Sequence, residues 1–124
     1  MATISSLLIR AAIVALAAAS VSVSAGEIRC PTTHAGSQLT TVTLFDGPPS
    51  EHADLEPDTF HQSKGGSRSE WDVAYIYQAG RHLFVECQYG PEAPAVILEP
   101  EPSTSTCEFQ SKGVEGVSLV CQSH

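Results

Sequence analysis

Apolar and polar residues alternate most regularly over residues 71–89, WDVAYIYQAGRHLFVECQY, a stretch that holds the only Trp and all three Tyr. A period of two indicates β-strands, whose successive side chains point to opposite faces of a sheet. We therefore predict a central β-hairpin with residues 78–80 as a three-residue loop, which places Trp71 opposite Cys87. A loop shorter by one residue is the alternative, but it mixes apolar and charged side chains on each face. The favoured register makes the aromatic row part of the core.

A second hairpin is predicted over residues 107–121, CEFQSKGVEGVSLVC. With residues 113–115 as the loop, Cys107 lies opposite Cys121 and the other apolar residues of the segment share their face. The polar residues point the other way, with Val120 as the exception. This alternation is typical of a sheet with one buried and one solvated face.

Shorter strands are predicted at residues 27–30, 39–45 and 95–98, the last as an edge strand because prolines flank it. Residues 51–55 are predicted to form one or two helical turns, and the polar residues 58–70 an exposed, mobile loop. The predicted fold class is mainly β: a single small antiparallel domain, either a sandwich or a partly open barrel. It would contain about six strands, two hairpins and at most a short helix, and disulfides would staple it together.

Four cysteines are present, and an even number at wide spacing favours two disulfides over a zinc site, which would need close pairs such as C-x-x-C. In the favoured scheme Cys107 bridges to Cys121 across their own hairpin, so that Cys30 must reach Cys87. The alternative links Cys87 to Cys107 and Cys30 to Cys121, and the third pairing stays open.

The amino-terminal segment is interpreted as a signal peptide covering residues 1–25. An apolar run at residues 11–19 follows Arg10, and Val23-Ser24-Ala25 supplies the small residues that a signal peptidase reads. Cleavage after Ala25 would leave a single domain over residues 26–124. The apolar run is too short to span a bilayer, so we expect a periplasmic or secreted protein with no membrane insertion after cleavage.

The charge is strongly negative. The whole chain has a formal net charge of −8, and removal of Arg10 with the first 25 residues leaves five basic and fourteen acidic side chains, or −9. Nucleic acid is therefore excluded as a partner, whereas a basic protein or an envelope component is electrostatically allowed. The acidic residues of one segment form either a solvated loop or a docking surface for a basic partner. They are Glu51, Asp54, Glu56 and Asp58.

No catalytic motif, phosphate loop or nucleotide fingerprint is present, so we assign no catalytic residue, no cofactor and no metal ligand. Two weaker arrangements remain as alternatives. Asp72 and Glu86, with His82 nearby, would lie on the mixed face of the central hairpin and could support the acid–base chemistry of a small hydrolase. A divalent cation could instead be held by three residues of the preceding loop. These are His52, Asp54 and His61.

The chain resembles a family of small exported bacterial proteins with four cysteines, whose activity is uncharacterised. The shared elements are C-P at residues 30–31, L-F-D-G-P-P at 44–49, A-D-L-E-P-D at 53–58, Trp71, V-E-C-Q-Y at 85–89, Cys107 and Cys121. The resemblance implies a periplasmic or secreted protein and brings no catalytic residue with it. At residue 88 this chain has Gln, where such families often have Arg.

Charge, export and the missing motifs together favour a non-enzymatic binding module that recognises a protein or an envelope component. An inhibitor of a basic hydrolase is one concrete form, although the S-G-x-x-Y element of one class of bacterial lysozyme inhibitors is absent. The alternative is a small metal-binding protein or a hydrolase that uses Asp72, Glu86 and His82.

Overall fold

Eleven strands and one short helix form residues 26–123, the part of the chain that the computed structural model describes. In chain order the strands are β1 (Glu27–Arg29), β2 (Thr33–His34), β3 (Ser37–Gln38), β4 (Thr41–Asp46), β5 (Asp54–Leu55), β6 (Thr59–Ser63), β7 (Gly66–Asp72), β8 (Leu83–Gln88), β9 (Val96–Leu98), β10 (Thr104–Ser111) and β11 (Val117–Ser123). Helix α1 (Ala74–Gln78) lies between β7 and β8, and single 3₁₀ turns cover Pro49–Glu51 and Gly113–Glu115. The predicted signal peptide lies outside the described residues.

A five-stranded antiparallel sheet has the order β1-β11-β10-β7-β6. Its centre is the hairpin predicted at residues 107–121, and the register is the predicted one: Cys107 pairs with Cys121 and Phe109 with Leu119. Cys107, Leu119 and Cys121 are buried on the inner face. This part of the prediction is confirmed because both strands have one buried face, and burial is what the alternation reports.

A second, four-stranded sheet has the order β5-β4-β8-β9. In β8 the inward side chains are Leu83, Val85 and Cys87, all fully buried. Strand β9 is an edge strand, as its flanking prolines predicted. The mainly β fold with antiparallel sheets, one short helix and two disulfides is therefore confirmed, and the described residues form open sheets rather than a closed barrel.

The predicted central hairpin is wrong. Strand β7 ends at Asp72 in the five-stranded sheet, α1 follows, and β8 belongs to the other sheet, so Trp71 does not pair with Cys87. Val73 and Ile76 are both fully buried, and their spacing of three residues is that of one face of a helix. In so short a run, apolar residues at this spacing cannot be distinguished from the alternation of a strand. Gly80, with φ of +78°, follows the helix and allows the chain to turn toward β8.

Two further expectations are also wrong. Residues 58–70 are not a loop but form the hairpin of β6 and β7, closed by a turn of Lys64 and Gly65. Every residue of β6 is exposed, so the strand has no apolar face that a sequence pattern can show. The predicted helical turns at residues 51–55 are replaced by the 3₁₀ turn at Pro49–Glu51 and by β5.

The two sheets share one core. Buried residues from both belong to a single apolar cluster that includes Leu44, Val85, Trp71 and Leu119. The indole Nε1 of Trp71 in the five-stranded sheet donates a hydrogen bond to the carbonyl of Leu55 in the other sheet, at 3.1 Å.

Disulfides link Cys107 to Cys121 and Cys30 to Cys87, the favoured of the predicted schemes. The first bridge lies across β10 and β11. The second joins the residue after β1 to β8 and so ties the two sheets together. None of the helices in residues 26–123 is both long and apolar enough to cross a membrane.

Candidate interaction surface

An exposed tyrosine on α1 lies near the carboxylates of Asp58 and of Asp46, which stands at the carboxyl end of β4. Gly47, with φ of +96°, reverses the chain after β4, a conformation that glycine adopts without strain. Its N–H donates to the carbonyl of His82 at 2.8 Å. The reversal places the 3₁₀ turn, and with it Glu51, beside Arg81.

Arg81 holds this end together. Its Nε donates to Asp46 Oδ1 at 2.6 Å, and its Nη2 donates to Glu51 Oε1 at 2.8 Å and to the Asp46 carbonyl at 3.1 Å. The hydrogen bonds that Arg81 donates to these two carboxylates raise the pKa of its guanidinium above its usual value. Arg81 thus orders the loop after β4 and partly compensates two of its negative charges.

Tyr75 lies on α1 with about half of its surface exposed, 51%. Partial burial of its ring raises the pKa of the phenol, and the negative charges of Asp46 and Asp58 raise it further. Asp58 is itself fixed, because its Oδ2 accepts a hydrogen bond from the backbone N–H of Asp72 at 2.7 Å. We call Tyr75, Asp46, Glu51, Asp58 and Arg81 the Tyr75 surface.

The Tyr75 surface combines an aromatic side chain with carboxylates at its rim. Tyrosine is enriched among the residues that dominate protein–protein binding energy, and its hydroxyl and ring allow polar and apolar contact at once. The rest of the predicted acidic segment is also exposed, at Asp54 on β5 and at Glu56 directly after that strand. The arrangement therefore suits a partner that presents basic side chains.

The outer face of the five-stranded sheet is a second polar surface, with a depression of about 440 Å³. Its charges are mostly matched within the sheet. The Nε of Arg68 lies 3.7 Å from both Glu70 Oε1 and Glu108 Oε2, and the Nε2 of His61 lies 3.8 Å from Glu70 Oε1. The Arg68–Glu70 pair lies along β7, and the other two cross to a neighbouring strand, an arrangement typical of a solvated sheet face.

The hydrolase arrangement predicted from the sequence is not brought together by a hairpin. Asp72 ends β7 in one sheet, whereas Glu86 lies in the middle of β8 in the other. His82 lies 3.5 Å from Glu99, and Glu86 accepts a hydrogen bond from Gln88. His82 and Glu86 therefore each have a local partner of their own.

The proposed cation ligands do not meet either. His52, Asp54 and His61 fall at the end of the 3₁₀ turn, on β5 and on β6. Within residues 26–123, no three His, Cys, Asp or Glu residues form a group that could hold a metal ion.

Tyr75 is the functional candidate that the sequence analysis placed wrongly. Strand alternation assigned it to the core beside Trp71, and the structure exposes it. The signal that could have found it is the spacing of Val73, Ile76 and Tyr77, which describes one face of a helix and leaves Tyr75 on the other.

Fold and surface together define a small disulfide-bonded β protein with an exposed aromatic and acidic patch suited to protein contact. Residues 32–122 match the family model described as Type VI secretion system Tli immunity protein. The chain belongs to this family. The match is consistent with the resemblance to small four-cysteine bacterial proteins. No curated protein and no solved structure matches the chain.

Proposed function

We propose that this protein is a non-enzymatic immunity protein that binds a type VI secretion effector and blocks its action. The observation that carries the proposal is the family match, which spans residues 32–122 and so includes nearly all of the described fold. A non-enzymatic binding module neutralises an effector through a surface that covers a region required for the effector's activity. The concrete form we favour is inhibition of an effector that is a hydrolase.

The Tyr75 surface is the part of the molecule that we assign to effector binding. Tyr75 would fill a pocket or cover an apolar patch, while Asp46, Asp58 and Glu51 would meet basic side chains. The net charge of −9 for residues 26–124 supports a basic partner, because long-range attraction speeds the encounter of oppositely charged proteins.

Export belongs to the same proposal. Residues 1–25 would act as a cleaved signal peptide, and residues 26–124 would work as a single domain in the periplasm or outside the cell. Two disulfides support an oxidising compartment, since such bonds are rare in the bacterial cytosol.

A protection assay tests the function. Each type VI effector of the source bacterium is expressed in the periplasm of a sensitive bacterial host, with and without the full-length chain. We expect the chain to restore growth against one effector and to form a complex with that purified effector. If none of these effectors is bound or neutralised, the proposal is wrong.

A titration separates binding from catalysis. The effector's activity on its substrate is measured as this protein is added. We expect inhibition to be complete at a ratio of one molecule of this protein per effector molecule. Inactivation of many effector molecules by one molecule of the chain would instead indicate an enzyme. The matched control for export is a chain that lacks residues 1–25, which should bind the purified effector once folded but fail to protect the host.

A further inference from the structure

Strand β6 is the longest edge strand of the five-stranded and four-stranded sheets in the described part of the chain. It has five residues, all exposed, whereas the other edge strands β1, β5 and β9 have three, two and three. Proteins usually protect such edges with Pro, Lys, a bulge or a short strand, because unpaired backbone groups recruit another strand. The sequence of β6, TFHQS, contains neither Pro nor Lys. A bulge-like irregularity lies just before the strand, where Asp58 and Thr59 both face Glu70, and it leaves the five residues of β6 regularly paired.

The pairing of β6 with β7 determines which backbone groups face outward. Ser63 and Gly66 close the two-residue turn, and a closing pair of this kind is hydrogen-bonded. Hydrogen-bonded and non-hydrogen-bonded pairs alternate along two antiparallel strands, so the N–H and C=O groups of His61 point toward Arg68 on β7. The N–H and C=O groups of Phe60 and Gln62 consequently point away from the sheet.

The free edge has opposite charges at its two ends. Asp58 directly precedes β6, and Lys64 directly follows it. Between them Phe60 is 59% exposed, so a large apolar side chain faces solvent beside the unpaired backbone. A strand that pairs with this edge needs a basic residue near Asp58, an acidic residue near Lys64 and an apolar side chain near Phe60.

We propose that β6 pairs with β6 of a second copy of this chain, antiparallel and about a two-fold axis through His61. In that register Phe60 lies opposite Gln62 of the second copy, and both residues are among those whose backbone groups point outward. Asp58 and Lys64 flank β6, so the pairing also brings Asp58 of each copy near Lys64 of the other, on both sides of the axis. The two β6 strands thus complement each other in backbone, charge and apolar surface.

The same register brings the two Phe60 side chains together. They lie on the same face of the joined sheets and are diagonal neighbours across the new strand pair, a separation that aromatic side chains span. Pairing therefore covers the most exposed Phe of the described residues. The net charge of the two copies opposes association, but at physiological ionic strength charges farther apart than about 8 Å are largely screened. The close Asp58–Lys64 contacts are screened less.

The dimer is inferred from β6 and not from the proposed function. Because Asp58 belongs both to the Tyr75 surface and to the β6 contact, a mass measurement tests the dimer without effector, on the exported chain with its disulfides intact. Light scattering or sedimentation should show a reversible doubling of mass as the protein concentration rises. A monomer at every concentration up to the millimolar range would overturn the proposal.

Two substitutions at one position test the edge directly. Gln62→Pro removes an outward N–H and should abolish the dimer, while Gln62→Ala keeps that N–H and should leave the dissociation constant within about twofold. Lys64→Glu should weaken the dimer by about tenfold or more, and Lys64→Arg should preserve it. A dimer that survives both Gln62→Pro and Lys64→Glu uses another surface, and the proposal is then wrong.

Amide hydrogen exchange on the unaltered protein covers the case in which Gln62→Pro fails to fold. The Phe60 and Gln62 amides should become protected as the protein concentration rises, whereas the His61 amide, already directed to β7, should change little. Unchanged exchange at Phe60 and Gln62 in a sample that has doubled its mass would also overturn the proposal.

Discussion

At the scale of single residues, Tyr75 stands apart because it is an aromatic side chain that the fold leaves half exposed beside Asp46 and Asp58. We expect Tyr75→Ala to weaken effector binding by about tenfold or more, since truncation of a hot-spot tyrosine often costs about 2 kcal/mol or more. Tyr75→Phe keeps the ring and should retain most of the affinity. Calorimetry with the purified effector measures both. Equal affinity of Tyr75→Ala and the unaltered chain would remove Tyr75 from the interface.

The three tyrosines predict a pH dependence of stability. Burial raises the pKa of Tyr75, Tyr77 and Tyr89 above the usual value of 10.0. The folded state therefore holds these protons more tightly than the unfolded chain does. The contribution of the three protonated tyrosines to the free energy of unfolding is fully present below pH 10. It should fall as the pH rises through the folded pKa values. Ultraviolet titration should show less tyrosinate in the folded protein than in the urea-unfolded protein above pH 10. Identical titration curves would contradict this prediction.

At the scale of elements, neighbouring glycines in the β6–β7 hairpin have opposite requirements. A Cβ at Gly66 would collide with the backbone carbonyl of Ser111 on β10, whereas a Cβ at Gly65 would meet nothing within 4 Å. Gly66→Ala should lower the free energy of unfolding by about 1–3 kcal/mol, because backbone must move. Gly65→Ala is the matched control and should change it by less than about 1 kcal/mol. Thermal denaturation compares the two, and equal melting temperatures would contradict the packing of the turn against β10.

The two disulfides are expected to contribute unequally. Chain-entropy estimates give about 4 kcal/mol for the bridge with a sequence separation of 57 and about 3 kcal/mol for the one with a separation of 14. The longer bridge also joins the two sheets. Replacing Cys30 and Cys87 by Ser should therefore destabilise the protein more than replacing Cys107 and Cys121. Urea unfolding of the two double variants measures the order, and the reverse order would show that strain or residual structure outweighs loop entropy.

Elements with one buried face could be predicted from the sequence, and elements without one could not. The hairpin of β10 and β11 was found with its register, and so was the inner face of β8, because their side chains alternate between core and solvent. Strand β6 is exposed along its whole length and shows no such alternation. Helix α1 is only five residues long, and so short a run fits either period.

At the scale of the whole molecule, the net charge of −9 on residues 26–124 should govern the rate at which the proposed effector is bound. If the partner is basic, its association rate constant should fall steeply as salt is added, while the dissociation rate constant changes less. Stopped-flow mixing at several ionic strengths measures both. An association rate that does not depend on salt would show that the overall charge serves solubility rather than recognition.

The sequence alone determined the mainly β class, the four cysteines available for bridging, the acidic surface and the strands that bury one face. These properties are local or compositional, so they can be read without knowing which segments meet. Only the tertiary structure decided that β7 and β8 belong to different sheets, that α1 separates them and that Cys30 links the sheets through Cys87. It also decided the position of Tyr75, since exposure depends on which segments pack over a side chain. Strand pairing is a contact between distant parts of the chain, and the apolar and polar alternation within one segment does not identify the strand with which that segment pairs.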